Sequence, residues 1–210
     1  MKKEESATIK SEIINYCNVI YHNLRVARHS VNELNYLLNH PLDCALFPFA
    51  GFPHYYFANL IDIHGRNATT LLFGLMEGQL SIPKLINKCE TNIDQLDYAI
   101  SKKEILALLE NASKLIDEQK AKHMPLLSAC RNKFACHQDK INAGPVKDVA
   151  NIAFPLTDML DLLPNLEQAF AYIYYPLTGD PYEQLPNASF IDIALHKIFD
   201  NKIEELEKND

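Results

Sequence analysis

From Ile9 to Leu38 the apolar residues return at every third or fourth position: Ile9, Ile13, Tyr16 and Cys17, Ile20, Leu24, Ala27, Val31, Leu34, then Leu37 with Leu38. At about 3.6 residues per turn, such spacing gathers one face of a helix. A strand turns alternate residues to opposite sides, so it cannot carry a stripe of this kind. Glycine, which makes the tight turns of a sheet, occurs only 6 times in 210 residues. A sheet of any size would lack its hairpins. The chain is therefore predicted to be all-α.

The first helix is expected to stop at Asn39-His40-Pro41, because the residue before a proline is pushed out of helical geometry. Leu42 to Tyr56, rich in Phe, Tyr and Pro, reads as a connector into a helix at about Phe57 to Ile63. The polar run Asp62-Ile63-His64-Gly65-Arg66-Asn67 then predicts a break, with short helices following at Ala68–Met76 and Pro83–Cys89. Ser101-Lys102-Lys103-Glu104 has the form of a capping box, in which the Ser and Glu side chains satisfy each other's free N–H groups. The periodic run Ile105, Leu108 and Leu109, Ala112, Leu115 and Ile116 follows it. Pro125 makes Leu126 to Gln138 either a kinked continuation or a new helix. A long helical pattern runs from Val149 to Ile173, with Pro155 and Pro164 expected to bend or break it. A loop between Pro176 and Pro186 leads to an amphipathic terminal helix with Phe190, Ile191, Ala194, Leu195, Ile198 and Ile203.

Every apolar run is cut by Asn, Asp, His or Pro well short of the roughly 18 residues that a membrane span needs. Met1 to Ser6 carries lysines but no apolar stretch after them, so a cytoplasmic chain without membrane partners is expected. The five cysteines, Cys17, Cys44, Cys89, Cys130 and Cys136, form no Cys-x-x-Cys pair. They read as reduced, buried thiols, with no cofactor and no metal implied. The net charge of −7 hides an uneven distribution. Residues 114–147 hold seven Lys and Arg against three Asp and Glu, a local +4, whereas residues 155–210 hold three Lys against eleven acids, a local −8. A polyanion could dock only on the first of these. Both segments read equally well as solvated helix faces.

Within the basic segment stands Arg131-Asn132-Lys133-Phe134-Ala135-Cys136-His137-Gln138-Asp139. Arg131 supplies a permanent planar cation able to grip a phosphate bidentately. His137 supplies a proton carrier near neutral pH. Asn132 can orient the phosphate or the imidazole, and Asp139 can fix the histidine tautomer. On residues alone, a surface ion pair between Arg131 and Asp139, Asp117 or Glu118, with His137 as a core histidine, fits as well. On an ideal helix the six steps from Arg131 to His137 turn about 240° beyond a full turn, which leaves the two side chains about 120° apart. One straight helix cannot aim both at one point. Either it unwinds near Cys136–Gln138, or two copies of the chain meet across a twofold axis.

As a string, Arg131, Asn132, Lys133, His137 and Asp139 resemble the Arg-Asn-Lys-x-x-Ala-His-x-Asp motif of the HEPN superfamily, in particular its abortive-infection AbiU-type proteins. Cys136 stands where the small Ala is usual. The resemblance extends loosely over residues 9 to 175. It implies an up-and-down helical bundle with a long first helix, residues 1–175, with the loop and amphipathic helix of 176–210 packed on the same domain. It further implies a homodimer acting as a metal-independent ribonuclease in a defence or toxin–antitoxin system, controlled by an antitoxin or other regulatory protein. Arg131, Asn132, His137 and Asp139 would then be catalytic, and Lys133, Lys140, Lys122 and Lys120 would bind RNA. The alternative of a different class is a non-catalytic helical interaction or RNA-binding protein of the same fold. A related toxin group resembles Arg-x4-His-x-Tyr, whose Tyr accepts an inactivating nucleotidyl group. Here Asp139 takes that place and offers no phenol.

Other candidates are weaker. His54, Asp62 and His64 lack the short helical spacing of a metal site. Tyr172, Tyr174, Tyr175 and Tyr182 could stack bases, but aromatic residues ending a helix more often belong to a core.

Overall fold

The computed structural model describes residues 2–40, 55–96, 98–141, 154–194 and 196–197, with side chains described from residue 8 onward except at 55 and 133–141. The chain is all-α, with no strand among the described residues. Its helices are α1 (Lys2–Asn39), α2 (Tyr55–Glu77), α3 (Ile82–Thr91), α4 (Lys102–Ile141) and α5 (Leu156–Thr178). Residues 190–194 and 196–197 are helical as well.

Helix α1 ends at Asn39 as Pro41 requires. Its stripe is buried as the periodicity predicts: Ile13, Cys17, Ile20, Leu24, Ala27 and Val31 lose essentially all exposure. Leu38, at the end of the stripe, is 47% exposed. The capping box of α4 is formed. Glu104 Oε2 accepts the Ser101 N–H at 3.0 Å and its hydroxyl at 2.6 Å, while the Glu104 N–H donates back to Ser101 Oγ at 3.4 Å. Pro125 lies inside α4, which continues past it to Ile141, so the stretch after Pro125 is a continuation. In α5 the boundary falls at Pro155, whose ψ of 141° is extended. Pro164 and Pro176 stay inside α5. The expected helical residues 149–153 lie outside the described ones. Gly179, at φ 79°, closes α5 in the left-handed conformation that glycine adopts without strain, and its N–H donates to the Tyr175 carbonyl at 2.8 Å.

One expectation is overturned. The run from Asp62 to Asn67 does not break the chain; α2 crosses it without interruption. Three bonds explain why. Arg66 Nε donates to Asp62 Oδ1 at 2.7 Å across one turn. The Thr69 hydroxyl returns to the Gly65 carbonyl at 2.7 Å. Asn67 Nδ2 reaches Ser30 Oγ of α1 at 2.9 Å. A glycine inside a helix costs only about 1 kcal/mol relative to alanine, less than these contacts and the burial of Ala68 and Thr69 return.

The four long helices close a ring in which α1 packs on α2 and α5, and α4 packs on α5 and α2, with α3 against α1 and α4. Neighbours run antiparallel where their contacts fix direction. Tyr16 of α1 meets Gln79 and Ser81 beyond the end of α2, while Tyr36 and Leu37 meet Phe57 near its start. Tyr21 stacks on Tyr174 and Arg28 pairs with Glu167, so α5 descends along α1. One main core fills the ring, with Phe154 and Phe170 its largest fully buried side chains, and a small second cluster joins Tyr36, Leu37 and Phe57. The segment after α5 is laid back along α1. Asn32 Nδ2 donates to the Pro186 and Ala188 carbonyls, and the buried Glu33 carboxylate accepts the Ser189 hydroxyl at 2.5 Å and the Phe190 and Ile191 N–H groups. Glu33 thereby caps the helical residues from 190 on. No helix among the described residues is long and apolar enough to cross a membrane.

Candidate nucleic-acid site

Helix α4 delivers Arg131 and Asn132 to the surface, both exposed, one step after Cys130 and Leu127 turn into the core. The Arg131 guanidinium carbon stands 5.0 Å from the ring centroid of Phe73, a half-buried residue of α2. Such a cation over an aromatic face is held by the ring quadrupole. Arg131 Nη1 also donates to Asn132 Oδ1 at 3.3 Å. The two first residues of the string are thus brought together, on a platform supplied by a different helix. Lys133, His137, Asp139 and Lys140 belong to the same helix, but their side chains lie outside the described residues. Since residues 131–141 are helical throughout, the backbone does not take the unwinding route between Arg131 and His137.

The remaining predicted cations sit differently. Lys122 Nζ is 2.7 Å from Asp161 Oδ2 of α5, and Lys120 is half-buried one turn before Met124. The Asp161 carboxyl is held below its ordinary value first by the hydrogen bond from Lys122 and then by that from His123. The basic and acidic halves of the sequence therefore meet at the α4–α5 contact, and part of the local +4 is spent inside the molecule.

His123 is the residue that sequence reasoning missed. It is 1% exposed, its Nε2 lies 2.8 Å from Asp161 Oδ2, and its Nδ1 lies 3.1 Å from Asp158 Oδ1 without hydrogen-bond alignment. Its ring meets Phe154 edge-on. No local signal could reveal a partner 38 positions away.

The weaker candidates resolve as structure. Asp62 is bound to Arg66, and His64 packs edge-on against His29 at 5.7 Å. Burial pushes the His64 imidazole below its ordinary value, against the Glu33 carboxylate that pulls it the other way. His54 lies outside the described residues. Among the described residues no three His, Cys, Asp or Glu side chains are grouped to hold a metal. Tyr174 stacks on Tyr21 at 5.5 Å and Tyr182 closes edge-on over both, against the buried Phe170. That is a core contact, although Tyr175 remains 45% exposed. Cys17 and Cys89 are buried free thiols, and Cys130 is buried as well. Desolvation pushes the Cys89 thiol up to about 12, which leaves it inert.

A cavity of about 460 Å³ opens between α1, α5 and the returning segment, lined by Arg28, Asn32, Tyr36, Pro164, Asn187 and Asp192 among others. Neither Arg131 nor Asn132, the string's described side chains, lines it. Its one buried cation, Arg28, is already paired with Glu167. Compared with protein-family models, with curated proteins and with solved structures, the chain matches none.

Proposed function

We propose that this chain is a metal-independent endoribonuclease of HEPN type, working as a homodimer in a defence or toxin–antitoxin system. The observation that carries the reading is Arg131: the head of the Arg-Asn-Lys-x5-Asp string stands exposed, its guanidinium over an aromatic ring and tied to the Asn132 amide. In that role Arg131 meets the charge that develops on the phosphorane. His137 moves the proton of the 2′-hydroxyl or of the leaving oxygen, Asn132 orients the phosphate, and Asp139 holds the imidazole. In this reading the two groups at one reaction centre come from two chains, which the angular separation of Arg131 and His137 along one helix supports. Lys133 and Lys140 extend the cationic surface for RNA, with Lys120 and Lys122 at its margin.

The test is cleavage of single-stranded RNA by the purified chain in EDTA. Wild type should give 2′,3′-cyclic phosphate ends, and His137→Ala should abolish cleavage while keeping the helical signal and the melting temperature. Cleavage that survives His137→Ala overturns the assignment. RNA binding without cleavage by wild type would instead establish the non-catalytic alternative.

A further inference from the structure

Nothing in the string itself accounts for how Arg131 is aimed. An exposed arginine on a helix samples many rotamers, and a cation that must meet a phosphate at one point loses much of its effect when it wanders. In this fold the guanidinium does not hang free in solvent. It stands over Phe73, which belongs to α2 and comes from a distant part of the sequence. Phe73 is itself half-buried, packed against the main core beside the fully buried Leu72 and Leu75. The ring is therefore fixed by packing, while the face it offers Arg131 lies at the surface. A cation resting on a ring keeps the N–H groups along its edge available, and these donate two parallel bonds to phosphate oxygens. Asn132 Oδ1 takes one Nη1 donor from the side, which leaves the guanidinium restrained by two groups.

We infer that Phe73 is the positioning residue of this site, its ring holding the Arg131 guanidinium so that the cation's edge faces the RNA phosphodiester. The inference rests on the ribonuclease reading and adds to it a residue outside the string. Phe73 touches no substrate; it acts through Arg131. Its effect on RNA must then depend on an arginine at 131 and on the ring being aromatic.

Two variants and one cycle test this. Phe73→Leu keeps an apolar side chain for the core but removes the π-face, and it should lower kcat/KM for RNA cleavage about tenfold, the scale of a partly desolvated cation–π contact. Phe73→Tyr keeps the ring and should recover most of that loss. Affinity for a fluorescein-labelled single-stranded RNA of mixed sequence, read by anisotropy, closes the cycle. Phe73→Leu should weaken binding in the Arg131 background and add almost nothing in the Arg131→Met background. An equal loss in both backgrounds would make Phe73 a core residue only and overturn the inference. So would a Phe73→Leu chain as active as wild type. In both cases wild-type cleavage would leave the ribonuclease reading standing. A wild type that neither binds nor cleaves RNA would remove that reading and this inference together.

Discussion

Arg28 and Glu167 meet across 139 positions of sequence, with 7% and 0% of their side chains exposed. Arg28 Nε donates to Glu167 Oε1 at 3.0 Å and Nη2 donates to Oε2, a bidentate fork. Arg28 Nη1 reaches Asn187 Oδ1 at 3.4 Å, and the Tyr182 hydroxyl stands 3.5 Å from Glu167 Oε1. Burial, followed by the Glu167 charge, raises the Tyr182 phenol above its ordinary value, so it stays neutral. Removing one partner leaves a charge buried alone. Arg28→Met should therefore cost about 3–5 kcal/mol in urea unfolding, and adding Glu167→Leu should restore much of it. A double variant no more stable than the single one would mean that the pair's surroundings, not the lone charge, set the loss. At the same scale, nothing about Phe73 or Arg131 in the sequence announces that they meet; only the packing of α2 against α4 joins them.

At the scale of elements, the clearest local instruction is the Ser101–Glu104 box. Losing the hydroxyl cap in Ser101→Ala should cost about 1 kcal/mol of stability. The Glu104 carboxyl is held below its ordinary 4.5 by the Ser101 hydroxyl and then by the Ser101 N–H. A lowered carboxyl stabilises the fold above its unfolded value and loses that contribution as pH falls through the folded one. The gap between wild type and Ser101→Ala should accordingly be full at neutral pH and shrink below about pH 4.5. A gap that is independent of pH would show that the bond to the carboxylate contributes nothing.

The end of α2 offers a matched pair. A Cβ at Gly74 meets nothing within 4 Å, whereas one at Gly78 would lie 2.5 Å from the Gly74 carbonyl oxygen. Gly74→Ala should stabilise the chain by about 0.5–1 kcal/mol through helix propensity. Gly78→Ala should destabilise it, because backbone must give way, and thermal melts of the two should move in opposite directions. The polar run through Gly65 misled for the same kind of reason: local propensity marks a break, and the bonds to Ser30, Asp62 and Thr69 outweigh it.

For the whole molecule, a ring of four helices around one main core leaves Arg131 at the surface near the end of α4, on a helix that continues through His137. If two chains complete the site, light scattering should give about twice the 23.9 kDa of one chain. A monomer that cleaves RNA at full rate would rule out the shared centre. Mixing two inactive chains tests the same point. Arg131→Ala and His137→Ala protomers, each silent alone, should regain activity on mixing, because one of the two centres in a mixed dimer keeps both groups.

The sequence by itself determined the helices whose signals are local. The α1 stripe, its stop before Pro41 and the box before α4 all follow from periodicity, missing N–H groups and side chains within four residues of the groups they satisfy. The Arg131–Asp139 string was legible too, because it is contiguous. Tertiary structure decided the continuity of α2 together with the Asp62–Arg66 and Gly65–Thr69 bonds inside that helix, and it alone decided the burial of His123 between Asp158 and Asp161, the fork from Arg28 to Glu167, and the ring beneath Arg131. Each of these joins groups that lie far apart along the chain or that a local rule would separate. Their energies come from desolvation and geometry that exist only once the helices have packed.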